Sequence, residues 1–169
     1  MKKITAKMVL AKKPCPGHEE QIKKYFKKGR TIPQCLKLLD VAEISTDDKI
    51  WVATRFMPDA MNRKFAIWCA RNCKTECKEI REYINVIERF YNGKATEDEL
   101  AAPDGAANSV AYDAAYNVAY SAADNAAYRA ASSAAYWAAN RVADSAANWA
   151  AVRKEQLTKL KELIVSEEG

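Results

Sequence analysis

From Ile80 the apolar residues Ile80, Tyr83, Ile84, Ile87 and Tyr91 fall at i, i+3, i+4, i+7 and i+11, with Val86 and Phe90 widening the stripe. That spacing predicts an amphipathic helix, which Asn92-Gly93 should close. Thr96-Glu97-Asp98-Glu99 then reads as a capping box, in which the Thr96 hydroxyl serves a backbone N–H and Glu99 reaches back. Upstream, the same periodicity appears in shorter pieces. Pro14-Cys15-Pro16-Gly17 is a turn, and His18 to Lys28 carries Ile22, Tyr25 and Phe26 at helical spacing until Gly29. Thr31-Ile32-Pro33 opens a predicted helix through Leu36, Leu39 and Val41. Ser45-Thr46-Asp47-Asp48 starts another, with Ile50, Trp51, Val52 and Phe56, which runs to Pro58. Asp59 is expected to cap a longer helix with Met61, Phe65, Trp68, Cys69 and Cys73 on one face.

Beyond Pro103-Asp104-Gly105 the pattern changes. Pairs of small residues recur every four positions from Ala106-Ala107 to Ala150-Ala151, twelve times without a slip. Tyr112, Tyr116, Tyr120, Tyr128, Tyr136, Trp137 and Trp149 lie between them, and no Gly or Pro intervenes before Gly169. Alanine is the strongest helix former, so helix is expected throughout. A four-residue step advances the small stripe by about 40°, so over the array it winds roughly once around the helix axis. A heptad coiled coil is disfavoured on the same ground. After Val152 the array gives way to Leu157, Leu160, Leu163 and Ile164 among charged residues, an amphipathic end that could seat on the N-terminal helices. The expected fold is all-α, with short N-terminal helices packed around a long Ala-rich C-terminal helix or a bent helix series. Its two parts, 1–104 and 105–169, would form one cooperative domain.

Composition adds little to this picture, but charge does. Hydrophobic residues make up 49% of the 169 residues, much of it alanine, and no apolar run reaches membrane-spanning length. No signal peptide is read at the start, and the expected location is the cytoplasm, the host's if the chain is phage-encoded. The net charge is +5, yet residues 1–30 alone hold ten Lys/Arg against Glu19 and Glu20. Attraction to anions is therefore an N-terminal property, and its plainest reading is a solvated helix face. Cys69, Cys73 and Cys77 share a helix face, but structural zinc wants four ligands, so these are read as buried thiols and no metal is expected.

Catalytic signals are sparse. His18 is the only histidine, and neither a phosphate-binding loop nor a dinucleotide-binding glycine motif is present. Asp47-Asp48 and Glu97-Asp98-Glu99 sit at helix starts, where the helix dipole accounts for them. The chain reads as a binding protein, with no enzyme activity and no cofactor expected. Arginine beside an aromatic ring can hold a phosphate while the ring stacks on a base. The candidate ligand-binding residues are Arg55, Arg63 and Arg71, which recur every eight positions, and Tyr116, Tyr120, Arg129, Trp137 and Arg141 in the array. The competing reading makes the aromatics core and pairs the arginines with aspartates.

Four stretches carry a family resemblance: Cys15-Pro16-Gly17, Asp48-Lys49-Ile50-Trp51-Val52, Phe65-Ala66-Ile67-Trp68-Cys69-Ala70-Arg71, and Asn92-Gly93-Lys94-Ala95-Thr96-Glu97-Asp98-Glu99-Leu100 leading into the tetrads. In this order they resemble the alanine-tetrad helical immunity protein family of phages and bacteria. The chain departs from that pattern at Lys49-Ile50, where relatives often carry an aromatic, and at Cys77-Lys78-Glu79. The resemblance implies a helical, non-catalytic protein that neutralises something in a phage–host conflict. The expected function is counter-defence by sequestering a small anionic, nucleotide-type immune signal. The alternative is an immunity or inhibitor protein that covers a protein target through a helical surface. A purely structural module and a homo-oligomer are left open, no membrane partner is expected, and nucleic acid is disfavoured because no recognition motif accompanies the basic segment.

Overall fold

The computed structural model describes residues 3–31, 34–35, 37–72, 78–100, 128–132 and 145–166. These residues are mostly helical, and an all-α fold is established. Seven α-helices are named here: α1 (Ala6–Ala11), α2 (Glu19–Phe26), α3 (Thr46–Phe56), α4 (Asp59–Asn72), α5 (Lys78–Tyr91), α6 (Glu97–Leu100) and α7 (Ser145–Ser166). A 3-10 turn at Lys37–Asp40 precedes α3, and residues 128–132 are also helical. No helix of the described residues is long and apolar enough to cross a membrane.

Local chemistry sets most of the boundaries. The Ser45 hydroxyl accepts the Asp48 N–H at 3.1 Å and starts α3. At the head of α6 the Thr96 hydroxyl accepts the Glu99 N–H at 3.2 Å, and the Glu99 carboxylate accepts the Thr96 N–H at 2.9 Å. The capping box is therefore formed in both directions. Helix α5 ends in a Schellman motif, with Gly93 at φ 68°, its N–H on the Phe90 carbonyl and the Lys94 N–H on that of Arg89. Between α3 and α4, Pro58 breaks the chain, and the buried Asn62 amide repairs the end of α3 by donating to the Thr54 and Met57 carbonyls at 2.8 and 3.3 Å.

Two departures from the sequence reading have local causes. The helix expected through Leu36, Leu39 and Val41 is helical at 34–35, then tightens into the 3-10 turn, and Val41 lies outside it. The turn sends the adjacent Leu38 and Leu39 into two different apolar clusters. The chain start, where periodicity predicts no element, forms α1, capped by Thr5, and an antiparallel bridge between Ile4 and Arg30. The helix expected to continue past Val152 does so, since α7 runs straight through the change of composition. Most of the alanine array lies outside the described residues, and so does the question of one rod or several pieces. In the part described, Ala130 and Ala131 are fully buried.

Two apolar clusters result. The larger joins α3, α4, α5 and α7 through Ile50, Phe65, Cys69, Ile84, Ile87 and Leu160. The smaller gathers Ile4, Val9, Ile22, Phe26 and Leu38, with Trp51, Val52 and Phe56 packed against it. Helix α3 serves both, offering Ile50 and Ala53 to one cluster and Trp51, Val52 and Phe56 to the other. The described residues leave the seam between the clusters unfilled.

Candidate functional site

A cavity of about 500 Å³ occupies that seam. Its walls come from Ile4 of the Ile4–Arg30 bridge, the Pro14–His18 turn, α2, the 3-10 turn and α3, with Met61, Tyr128 and Ile164 reaching it from the larger cluster. Tyr25, Phe26, Trp51 and Phe56 give it aromatic faces, and most of the remaining wall is aliphatic. A volume in the range of roughly 300–1,000 Å³, apolar walls and a few polar groups are what a small-molecule site requires.

Most polar groups of the wall are engaged with neighbours, chiefly residues just off the wall. Gln21 donates to the Glu43 carbonyl at 3.2 Å, and the Tyr25 hydroxyl donates to the Glu43 carboxylate at 2.6 Å. That hydroxyl, with Lys24 beside it, holds the Glu43 carboxyl below the usual carboxylate range. Asp48 accepts from the Ser45 hydroxyl at 2.6 Å, and its other oxygen lies 3.8 Å from His18 Nδ1. Asp47 pairs at 2.6 Å with Arg153 of α7. Lys49 completes the set; it is a wall residue only 8% exposed.

The arginines singled out in the sequence do not meet in this cavity. Arg55 lies over the Trp51 ring, 5.6 Å from its centroid, and Trp51 is part of the cavity wall. Arg63 stacks on Tyr91, with its guanidinium 4.5 Å from the ring centre. Arg71 donates to Asn85 at 2.9 Å and is ion-paired with Glu88. Arg63 and Arg71 thus fasten α4 to α5, and the three do not form one cleft. Arg129 is exposed on the helical segment 128–132. Tyr116, Tyr120, Trp137 and Arg141 lie outside the described residues, as do Cys73 and Cys77. Cys69 is fully buried, and among the described residues no group of three or more His, Cys, Asp or Glu is placed to hold a metal ion.

Sequence reasoning missed Lys49, Trp51 as a wall residue, and Arg153. Arg153 looked like one charge among many on the C-terminal segment, but it is 3% exposed. Its guanidinium donates to Gln156 at 3.0 Å and Ser132 at 3.3 Å and lies over the Trp149 ring. Burial pushes it below the ordinary guanidinium value, while Asp47 works in the opposite direction. No family model, no curated protein and no solved structure matches the chain.

Proposed function

We propose that this chain is a non-catalytic binding protein that sequesters a small anionic, nucleotide-type ligand, with the ligand's planar part in the seam cavity. The observation that carries this reading is the cavity itself, of about 500 Å³ and walled by Tyr25, Phe26, Trp51 and Phe56. Aromatic side chains accept a base face regardless of its identity, and stacking is worth about 1–3 kcal/mol per base. Holding is favoured over turnover because Asp47 and Asp48 are tied to Arg153 and Ser45 rather than poised as free acid or base groups. The resemblance to immunity proteins of phages and bacteria favours a counter-defence setting in the host cytoplasm.

Equilibrium binding to a panel of cyclic nucleotides and ADP-ribose derivatives tests the proposal. At least one should bind the wild type and raise its melting temperature, and Trp51→Ala should abolish the effect. Silence across the panel would sink the nucleotide reading, and turnover of any member would overturn the non-catalytic one.

A second reading has its own observation. Lys3, Lys27 and Lys28 are exposed and gather around the Ile4–Arg30 bridge, where Lys3 packs beside Gly29. That cluster suits an acidic protein surface. A partner captured by the wild type but not by a Lys3→Glu/Lys27→Glu/Lys28→Glu variant would favour it.

A further inference from the structure

Among the charged and amide side chains on the cavity wall, one differs from the rest. Gln21, Asp47 and Asp48 are each tied to a neighbour, and His18 faces Asp48. Lys49 is more than nine-tenths buried, yet no hydrogen bond or salt bridge joins its ammonium to any described residue. Lys49 is nevertheless part of the cavity wall rather than of either apolar cluster. Asp40 feels its charge, but that carboxylate is held by Lys161 of α7 and is not part of the wall. Asp47 and Asp48, the acidic wall residues next to it in sequence, are already committed to Arg153 and Ser45. A cation withdrawn from water with no counter-ion is costly, and the cost is relieved when an anion arrives in the same low-dielectric space.

We propose that Lys49 is the anion anchor of the cavity. The ligand then has a flat apolar body against Trp51 and Phe56, and one anionic head, a carboxylate, sulfonate or phosphate group. That head turns inward to Lys49 rather than outward to the N-terminal lysines. The proposal rests on the cavity being the ligand site. It goes further by fixing the ligand's orientation and the group that selects for charge.

Two matched dyes separate these claims in the full-length protein. 1-Anilinonaphthalene-8-sulfonate carries an anionic head, and N-phenyl-1-naphthylamine is the same ring system without it. The wild type should bind the sulfonate about tenfold more tightly than the neutral dye, the gain expected of one desolvated charge-assisted contact. Lys49→Met should erase that preference and leave the neutral dye within about twofold, whereas Lys49→Arg should preserve it. Lys27→Glu/Lys28→Glu should leave the preference intact, because those lysines lie off the wall. A wild type that binds both dyes equally overturns the anchor without needing a variant, so a poorly folding Lys49→Met does not shelter the proposal. Unchanged preference in Lys49→Met also overturns it, and the cavity reading survives either result. If neither dye binds the wild type, the cavity reading itself fails.

Discussion

Arg153 Nε lies 2.6 Å from Asp47 Oδ1, joining α7 to the first turn of α3. The two partners are unequally buried, with side-chain exposures of 3% and 46%. Removing Asp47 strands a guanidinium in the interior, whereas removing Arg153 leaves a carboxylate that water can reach. Asp47→Ala should therefore cost about 2–3 kcal/mol, and Arg153→Met only about 1 kcal/mol. Urea unfolding of both variants and the double mutant checks the order, and the double mutant should be no worse than Asp47→Ala. If Arg153→Met proves the more damaging single change, its bonds to Ser132 and Gln156 dominate and the pair does not.

Asn62 closes the end of α3 across the Pro58 break. Asn62→Leu keeps the volume but leaves the buried Thr54 and Met57 carbonyls without their donor, at a cost of about 1–3 kcal/mol. Asn62→Asp should be worse at neutral pH, because a carboxylate would face two carbonyl oxygens. Equal stability of the two variants in chemical denaturation would show that the amide donor is not what matters at this corner.

These two contacts mark the limit of what the sequence made legible. The capping box at Thr96 and Glu99, the Ser45 start, the Pro58 break and the α5 face of Tyr83, Ile84 and Ile87 all follow from neighbours within a turn or two. Their physics is local. The cavity is not local, since Ile4, Tyr25, Leu38, Trp51 and Ile164 come from five separate segments. Periodicity marks Trp51 as apolar but cannot say that α3 is shared by two clusters with a gap between them. Lys49 stands beside Asp47 and Asp48, where a charged residue reads as surface. Only the packing of Asp40, Asp47 and Asp48 onto other partners shows that Lys49 is left over. The eight-residue spacing of Arg55, Arg63 and Arg71 does not show where they point, because the contacts they make lie on other turns and other helices.

The described thiols should react in a fixed order. Cys15 is exposed, Cys35 is partly covered and Cys69 is buried. Burial pushes the Cys35 thiol up to about 11, so at pH 8 only about one molecule in a thousand carries the thiolate. Iodoacetamide labelling followed by peptide mass spectrometry should find Cys15 modified first, Cys35 much later and Cys69 only after unfolding. Comparable rates at Cys15 and Cys35 would contradict the packing around α2 and the 3-10 turn.

Acid should weaken the fold in a defined window. The Lys161 ammonium holds Asp40 low, the Tyr25 hydroxyl and Lys24 hold Glu43 low, and the Thr96 N–H with Arg89 holds Glu99 low. Each folded value lies below the unfolded one, so the unfolded chain binds more protons as pH drops. The stabilisation is complete above the ordinary carboxylate range and is lost as pH falls through the lowered folded values. The melting temperature should be flat with respect to these groups from about pH 7 to 5 and decline below about pH 4. Asp40→Asn should remove part of that decline and leave the neutral plateau slightly lower. A variant that tracks the wild type at every pH would mean that the Asp40–Lys161 contact contributes nothing in solution.

The arginines offer the sharpest separation of structure from binding. Arg71 is committed to Asn85 and Glu88, and Arg63 to the Tyr91 ring, so both tie α4 to α5 away from the cavity wall. Arg71→Ala and Arg63→Ala should each cost about 0.5–1 kcal/mol of stability, typical of exposed ion pairs and cation–π contacts. Neither should change dye or nucleotide affinity by more than about twofold, since that affinity depends on groups in the wall. Arg55→Ala removes the cation from the Trp51 ring and should shift affinity modestly. Trp51→Ala should abolish binding while the α4–α5 pair stays intact. Should Arg71→Ala abolish binding with the fold preserved, the ligand would have to sit along α4 and α5, and the seam cavity would be a packing gap with no ligand to fill it.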